Sequence, residues 1–257
     1  MINAVVCGAL GRMGTTVGRF VNEADDMTLC GGVDIKPGSF FGIPVVESGK
    51  IDELLNSAKP DVLIDFTTAN AAVGNVKAAS RAGTAVIVGT TGFSDAQREE
   101  LRRVIEGRIP AVISSNFSIG VNIYWQLLRD AARLLKEYDV ELIEAHHRYK
   151  KDAPSGTAKT ILQILEQEIG ARKKVYGREG MAERGNEIGV HVVRGGDIVG
   201  DHSVLFSGNF ETITLSHRAY DRSVFASGAV RAARWVVGKP PGIYGMDDVL
   251  GLAKRTP

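Results

Sequence analysis

The sequence predicts an α/β fold in which a doubly wound parallel sheet is followed by a smaller α+β region. Three observations lead to this prediction. Short, almost continuously apolar runs alternate with longer helix-forming segments up to about residue 115. A glycine-rich turn directly follows the first of these runs, and the pattern changes after Asn116. Strands covered by helices on both faces lose the polar alternation of a half-exposed strand, so the apolar runs indicate a parallel sheet.

The first region begins with a strand at residues 2–7. Further apolar runs rich in β-branched residues predict strands at 28–33, 62–66, 85–89 and 111–114. The intervening segments are rich in helix formers and predict helices at 12–23, 51–57, 71–82 and 94–106. Because strands and helices alternate, the region is expected to consist of parallel βαβ units.

The second region has a different rhythm, which predicts a mixed or mostly antiparallel sheet with helices. An amphipathic pattern predicts one long helix at 119–138, and a second helix at 155–169 ends before Gly170. Strands are predicted at 140–145, 189–193, 203–206 and 211–216. A last helix at 227–237 is expected to pack back on the first region. The predicted domains are therefore 1–117 with 226–257, and 118–225.

The composition excludes several classes of partner. The 257-residue chain has 31 Lys and Arg against 30 Asp and Glu, so we expect neither a nucleic acid nor a membrane as partner. No apolar run reaches the roughly 18 residues of a membrane-spanning helix. The two cysteines, Cys7 and Cys30, lie in apolar runs. Free buried thiols of this kind are typical of a reducing cytosol and predict a cytoplasmic protein.

The glycine-rich turn predicts a dinucleotide site. It reads Gly8-Ala9-Leu10-Gly11-Arg12-Met13-Gly14 and joins the first strand to a helix. Glycines permit a tight turn and a close approach of backbone N–H groups to a pyrophosphate, which the helix N-terminus also favours. Asp34 ends the second strand, 34 − 14 = 20 residues after Gly14, the spacing of a carboxylate that binds the adenosine ribose. A glycine turn without a ligand is the alternative, but the whole pattern favours a Rossmann-type domain.

A second glycine-containing loop, Gly89-Thr90-Thr91-Gly92, follows the fourth strand. Ligands of doubly wound sheets lie beyond the carboxyl ends of the strands, so this loop is a candidate for the nicotinamide side. An ordinary polar loop would have the same spacing, and the pattern alone does not distinguish the two.

The densest polar segment is 144–157, Glu-Ala-His-His-Arg-Tyr-Lys-Lys-Asp-Ala-Pro-Ser-Gly-Thr. Adjacent strand residues point to opposite faces, so His146 and His147 are expected to have different partners. Cationic side chains opposite a helix N-terminus would form a cradle for carboxylates. A solvated basic loop is the alternative. The histidine spacing does not suit zinc, and we expect no metal.

This segment resembles the signature E-x-H-H-x-x-K-x-D-x-P-S-G-T of the dihydrodipicolinate reductase family. Further landmarks occur in that family's order at 8–14, 89–92, 115–122 and 194–202, and the resemblance extends to 245–250. It implies a Rossmann-type domain and a smaller α+β domain for substrate binding and oligomerisation, assembled as a homotetramer. The implied activity is the NAD(P)H-dependent reduction of 4-hydroxy-tetrahydrodipicolinate, a small dicarboxylate, in lysine and diaminopimelate biosynthesis.

The resemblance also implies roles for individual residues. His146 and Lys150 would be catalytic, with Lys150 as the proton donor. The substrate carboxylates would be held by His147, Ser155, Gly156 and Thr157. The cofactor would be bound by Gly8, Ala9, Leu10, Gly11, Arg12, Met13, Asp34, Gly89, Thr90, Thr91, Ser114, Ser115, Asn116 and Phe117.

Some positions depart from the family pattern. Leu10 replaces the second glycine of G-x-G-x-x-G, Ala69 stands where a proline is frequent, and Ile35 stands where a base is frequent. Asp34 would repel a 2′-phosphate, so we expect NADH to be preferred and NADPH to be accepted with help from Lys36. Another amino-acid dehydrogenase or imine reductase, and a redox sensor without turnover, are the alternatives. Substrate-dependent oxidation of NADH would separate them.

Overall fold

The computed structural model describes residues 1–252, which form two compact units. One unit comprises Met1–Ile119 and the chain from Arg222 onward, and the other comprises Gly120–Asp221. The sequence places the boundaries after residue 117 and before residue 226, and the roles of the two domains remain predictions. Residues 253–257, which the sequence assigns to the first domain, lie outside the described residues.

The elements follow one another in chain order with short connections. They are β1 (Ile2–Cys7), α1 (Arg12–Asn22), β2 (Met27–Asp34), β3 (Gly38–Phe40), β4 (Ile43–Glu47), α2 (Ile51–Ala58), β5 (Val62–Asp65), α3 (Ala69–Ala82), β6 (Ala85–Val88), α4 (Asp95–Ile105), β7 (Pro110–Ile113), α5 (Ile119–Leu134), β8 (Asp139–His146), α6 (Gly156–Ile169), β9 (Lys173–Tyr176), β10 (Glu187–Arg194), β11 (Gly200–Ser207), β12 (Thr212–Ala219), α7 (Ser223–Val236), β13 (Gly242–Tyr244) and α8 (Met246–Leu250).

The first unit contains a sheet with the strand order β13-β7-β6-β5-β1-β2-β4-β3. Its strands are parallel except for β3, which runs antiparallel to β4. The predicted fold class, a doubly wound parallel sheet with a smaller α+β unit, is confirmed. Because β1, β2, β5, β6 and β7 run in the same direction, their carboxyl ends lie along one edge.

Residues of β1 show why the sheet is buried on both sides. Ala4 and Val6 belong to one apolar core, which also contains residues of α1 and α7. Val5 and Cys7 point the other way, into a second core formed with α2, α3 and α4. The return of the last long helix to the first region, expected from the sequence, is confirmed. In α7, a Cβ on Gly228 would lie 1.7 Å from the carbonyl oxygen of Phe117, so only glycine permits this approach.

The second unit contains a mixed sheet with the order β12-β11-β8-β10-β9. Strands β8, β9 and β10 are parallel, and β11 runs antiparallel to both of its neighbours. Helices α5 and α6 cover one face, where Leu128 and Ile161 pack against Leu142 and Phe206. The residues of β11 alternate between buried and partly exposed, as expected for a strand with one covered face.

The predicted end of the long helix at residue 138 is wrong, because α5 ends at Leu134. The side chain of Arg172 donates hydrogen bonds to the backbone carbonyls of Lys136 and Tyr138. Those carbonyls are therefore bound by a residue distant in sequence instead of by a continuing helix.

Short elements were missed by the sequence analysis: β3, β4, β9, β13 and α8. Gly42 and Pro44 interrupt the pattern around β3 and β4, and β13 follows the Pro240-Pro241 pair directly. Runs of three to five residues next to such breaks carry too little periodicity to predict a strand. No helix among the described residues is long and apolar enough to cross a membrane.

Candidate active site

The turn after β1 is shaped by two glycines that no other residue could replace. Gly8 has a φ of 76°, and a Cβ there would lie 2.6 Å from the carbonyl oxygen of Phe66. A Cβ on Gly14 would lie 1.9 Å from the carbonyl oxygen of Gly8. Gly11 is the N-cap of α1 and supplies no side-chain cap. The helix N-terminus is therefore open to an anionic group, which fits the pyrophosphate of a dinucleotide.

Asp34 lies beside this turn, at the end of β2. One carboxylate oxygen accepts a hydrogen bond of 2.8 Å from the backbone N–H of Leu10, and the other accepts one of 2.7 Å from that of Ile35. The carboxylate is thus fixed in orientation by the glycine turn itself. Leu10 is 44 % exposed, so its side chain replaces the usual second glycine by pointing outward.

A buried carboxylate that the sequence analysis missed joins two further loops of this edge. Asp65, at the end of β5, accepts hydrogen bonds from the hydroxyls of Thr67 (2.9 Å) and Thr90 (2.6 Å) and from the amide of Asn75 (2.7 Å). Burial raises the pKa of Asp65, and these uncharged donors oppose only part of that effect. The only sequence signal for it was an acidic residue at the end of an apolar strand.

The loop after β7 is held by its own side chains. The Ser114 hydroxyl donates to the carbonyl of Asn116 (2.8 Å) and accepts from its N–H (3.2 Å). Phe117 is 1 % exposed, and its ring packs edge-on against Phe66 with 6.0 Å between centroids. Any ligand contact by Phe117 would therefore come from its backbone.

The predicted cofactor residues of the first unit thus lie in four loops along one edge of the sheet. These loops follow β1, β2, β6 and β7, and they contain Gly8–Met13, Asp34, Gly89–Thr91 and Ser114–Phe117. Open helix N-terminal groups and a ribose-side carboxylate fit a pyridine dinucleotide. The assignment of each residue to the cofactor remains a prediction.

The predicted catalytic and substrate residues belong to the second unit, where His146 and Ser155 bond directly to Glu144. Oε1 of Glu144 accepts hydrogen bonds from the backbone N–H of Ser155 and from Arg194 Nη2, both at 2.9 Å. Oε2 bonds to His146 Nδ1 at 2.5 Å and accepts from Arg194 Nη1 at 3.0 Å. Burial acts to raise the pKa of Glu144, but the hydrogen bonds from His146, Arg194 and Ser155 outweigh it and lower the pKa to about 2.

The two adjacent histidines have different surroundings, as expected. The ring of His146 is buried against His202, edge-on with centroids 5.1 Å apart, whereas that of His147 lies beside Tyr149 with centroids 6.3 Å apart. Burial, and next the electrostatic effect of His146, lower the pKa of His202 to about 3. His202 is therefore uncharged at neutral pH.

Lys150 lies in the loop after β8, where its Nζ forms an ion pair with Asp152 Oδ1 at 2.8 Å. The carbonyl of Asp152 accepts a hydrogen bond of 2.7 Å from Arg194 Nη2. The guanidinium of Arg194 therefore binds both the loop that carries Lys150 and the carboxylate of Glu144.

Helix α6 begins directly after this loop, with Gly156 and Thr157 in its first turn. Ser155 is the N-cap, and its hydroxyl accepts from the N–H of Ala158 and bonds to His202 Nε2, both at 3.2 Å. The backbone N–H of Ser155 binds Glu144. The N–H and the hydroxyl of Ser155 are thus both engaged within the protein, where they support the N-terminus of α6. Contact of Ser155 with a substrate remains a prediction.

Sequence reasoning assigned no role to Glu144, Arg194 or His202, although each lies in a segment that carried the resemblance. The available signal was the alternation of β8, which puts Glu144 on its buried face. Ligand atoms of Glu144, His146 and His202 lie within 4.8 Å of one another. Because Arg194 and Ser155 already occupy the carboxylate, a metal would have to displace them. We assign none, and the expectation of a metal-free site remains a prediction.

Comparison with known proteins identifies the family. "Dihydrodipicolinate reductase, N-terminus" matches residues 2–117, and "Dihydrodipicolinate reductase, C-terminus" matches residues 120–250. The 4-hydroxy-tetrahydrodipicolinate reductase of Methanoregula boonei is 70 % identical over 254 residues, which cover 99 % of this chain and 100 % of that protein. The protein of the same name from Methanoculleus marisnigri is 69 % identical, covering 98 % and 100 %.

A solved structure agrees in fold. The dipicolinate-bound dihydrodipicolinate reductase from Paenisporosarcina sp. TG-14 superposes with a TM-score of 0.80 at 27 % identity, covering 95 % of this chain and 97 % of that one. An amine dehydrogenase from Mycobacterium smegmatis, at 15 % identity and a TM-score of 0.58, shares only the fold. The glycine turn, the Glu144–Thr157 segment and the full-length matches together show that this chain belongs to the dihydrodipicolinate reductase family of oxidoreductases.

Proposed function

We propose that this protein reduces 4-hydroxy-tetrahydrodipicolinate to tetrahydrodipicolinate, a step of lysine and diaminopimelate biosynthesis, with a nicotinamide cofactor. The observation that carries the proposal is that Glu144 and Arg194 link three parts of the second unit, which are His146, the loop of Lys150 and the N-terminus of α6. Relatives at up to 70 % identity bear the name of this reductase and support the choice of substrate.

Binding of a dicarboxylate substrate requires positive charges and hydrogen-bond donors, which side chains and backbone N–H groups can supply without a metal. The N–H groups at the start of α6 and the hydroxyl of Thr157 are suited to one carboxylate, and His147 and Lys150 supply further donors. In the free protein the Lys150 ammonium is paired with Asp152, 2.8 Å away. A substrate carboxylate would compete for that ammonium and draw it to the reacting ring.

When bound, the nicotinamide cofactor supplies the hydride. The protein must then supply a proton to the electron-rich ring atom that hydride addition leaves, and the overall change releases one water. Lys150 is the proposed donor, and His146 is its partner in the proton transfer. A positioned general acid contributes typically 10²–10⁴-fold to a rate.

Removal of the Lys150 ammonium tests this function. We expect Lys150→Ala to lower kcat by roughly a hundredfold or more, because the general acid is lost. The assay is oxidation of NADH by the condensation product of pyruvate and aspartate semialdehyde. Lys151→Ala is the matched control, since Lys151 is the exposed neighbour in the same loop. Wild-type kcat in Lys150→Ala would contradict the assignment, and turnover only with other oxo acids would indicate a different dehydrogenase.

The cofactor is proposed to be NADH by preference, with NADPH accepted. Asp34 has both oxygens oriented by backbone N–H groups, with capacity left for the ribose hydroxyls. A 2′-phosphate there would place about two negative charges against the carboxylate. Lys36 is exposed and supplies a point charge without the bidentate geometry of arginine.

The assembly is proposed to be a homotetramer in the cytoplasm. The sheet face of the second unit opposite α5 and α6 carries the exposed apolar residues Ile143 and Val193, which support a contact between copies. The free thiols of Cys7 and Cys30 support the compartment. Light scattering of the purified protein tests the tetramer, and a monomer at working concentration would contradict it.

A further inference from the structure

Glu144 is a buried side chain whose hydrogen bonds join several parts of the candidate site. Its carboxylate is 0 % exposed, and four hydrogen bonds reach its two oxygens. Oε1 accepts a hydrogen bond from the backbone N–H of Ser155, the N-cap of α6, and Oε2 bonds to Nδ1 of His146. The same carboxylate therefore holds the predicted catalytic histidine and the helix that presents donors to a carboxylate ligand.

The geometry also determines which ring nitrogen of His146 carries its proton. An ionised carboxylate can only accept hydrogen bonds, so Nδ1 of His146 must be the donor in the 2.5 Å contact. In the neutral ring, Nε2 then carries the lone pair. A Cβ at position 200 would lie 3.0 Å from this Nε2, so glycine at that position avoids a close contact with the nitrogen.

Arg194 keeps this arrangement ionised. Its guanidinium binds both oxygens of Glu144 in the bidentate geometry that favours a carboxylate, at 2.9 and 3.0 Å. An isolated carboxylate at this depth would instead tend to take up a proton. A protonated Glu144 would compete as a donor and would no longer define the tautomer of His146.

We propose that Glu144 is a positioning residue with two separable tasks, one for each carboxylate oxygen. Oε2 holds His146 in the tautomer with the proton on Nδ1, which leaves Nε2 to exchange a proton with the reacting system. Oε1 holds Ser155 and thereby the N-terminus of α6, where the substrate carboxylate is received. This inference rests on the proposed function and extends it to a group that touches neither substrate nor cofactor.

The same strand supplies a matched control. Glu141 binds His191 Nε2 at 2.7 Å and Arg184 Nε at 3.3 Å. Strand β8 therefore contains two glutamates, Glu141 and Glu144, each of which binds one histidine and one arginine. Glu141 is partly exposed and lies on the other face of the sheet. Glu141→Gln replaces a carboxylate that binds a histidine and an arginine, as Glu144→Gln does, but it alters no contact of His146 or α6.

The test compares Glu144→Gln with Glu144→Ala. Glutamine keeps one carbonyl oxygen for the Ser155 N–H and Arg194 Nη2. Its amide N–H groups remove the acceptor of Arg194 Nη1 and face His146 Nδ1, so the proton of His146 must move to Nε2. We expect kcat to fall by about 10–100-fold, the usual effect of losing an orienting partner. The dissociation constant of pyridine-2,6-dicarboxylate should stay nearly unchanged in Glu144→Gln and rise in Glu144→Ala. Cofactor binding should be retained in both.

A second readout does not require turnover. In ¹⁵N-histidine NMR of the free protein, the Nδ1 and Nε2 signals of His146 should exchange character in Glu144→Gln and stay unchanged in Glu141→Gln. His146→Asn and His191→Asn variants identify the signals. This spectrum decides the matter even if Glu144→Ala does not fold.

Wild-type kcat together with an unchanged His146 signal in Glu144→Gln would overturn the proposal. Equal loss of pyridine-2,6-dicarboxylate binding in the two Glu144 variants would overturn the division of tasks between the oxygens. Absence of wild-type turnover would instead overturn the proposed function, and the NMR comparison would still decide the role of Glu144.

Discussion

Asp65 and Glu144 are equally buried carboxylates, each 0 % exposed, yet their pKa values move in opposite directions. Asp65, in the first unit, is surrounded by uncharged donors from Thr67, Thr90 and Asn75, and burial raises its pKa. Glu144, in the second unit, faces an arginine and a histidine, and its pKa is lowered to about 2.

The difference shows that burial sets the cost of a charge while the partners decide whether the charge is kept. Neutral hydrogen bonds offset part of the desolvation, whereas charge-assisted ones exceed it. The consequence is functional. Asp65 holds two loops of the sheet edge together through hydroxyls, and Glu144 keeps a negative charge next to His146, the proposed partner in proton transfer.

The largest expected effect is on the free energy of unfolding, which should fall further when Glu144 is removed than when Asp65 is removed. Glu144→Ala should lower the free energy of unfolding by about 3–5 kcal/mol, because the Arg194 guanidinium is left without its buried partner. Asp65→Ala should cost less, about 1–3 kcal/mol, because hydroxyls can reorient and the N–H of Thr67 also donates to Thr90 Oγ1 at 2.8 Å.

Urea unfolding at neutral pH measures both values. Trp125 lies in the second unit and Trp235 in the first, so Trp235→Phe and Trp125→Phe backgrounds report each unit separately. A larger loss for Asp65→Ala than for Glu144→Ala would contradict the comparison.

The next effect is the acid dependence of Glu144. Its folded-state pKa lies below the unfolded value of 4.5, so its contribution to stability is present above pH 4.5 and is lost as the pH falls toward 2. The stability difference between wild type and Glu144→Gln should therefore shrink over that range. Urea midpoints measured at successive pH values test this, and a pH-independent difference would show that the charge of Glu144 contributes nothing.

Asp65 should show the opposite dependence. Its folded-state pKa lies above the unfolded value of 3.8, so wild-type stability falls as the pH rises from 3.8 through the folded-state value. Each pKa unit corresponds to about 1.4 kcal/mol. Asp65→Asn should remove this loss, so the stability of the variant relative to wild type should increase as the pH rises. Restoration of the slope in Asp65→Asn/Asn75→Asp is the control, and a parallel pH dependence of wild type and Asp65→Asn would refute the assignment.

The smallest effect concerns Asp34, the partly exposed carboxylate of the same sheet edge. Added salt should reduce the preference for NADH in kcat/KM, because an exposed charge is screened and a buried one is not. Ile35→Arg should shift the balance toward NADPH, since Ile35 is 78 % exposed and an arginine there can reach a 2′-phosphate. Ile35→Gln is the uncharged control. A wild type that favours NADPH severalfold would show that Lys36 outweighs Asp34.

The sequence by itself determined the elements whose signal is local. The apolar runs predicted β1, β2, β5, β6 and β7 to within one residue at each end. Glycines at positions 8 and 14 predicted the turn, because only a residue without Cβ fits so close to neighbouring backbone. The polar segment 144–157 predicted where the candidate catalytic residues lie, and the structure places them together at the end of β8 and the start of α6.

Only the tertiary structure decided which charges meet. Arg194 is 50 residues from Glu144, and it reaches that carboxylate because the register of β10 on β8 sets Arg194 opposite His146. The register of β11 on β8 likewise sets His202 opposite Glu144. Asp65 meets Thr90 because β5 and β6 are neighbours in the sheet. A strand pattern predicts which face a residue occupies but not its register against a distant strand, and the pKa of a buried carboxylate depends on that register.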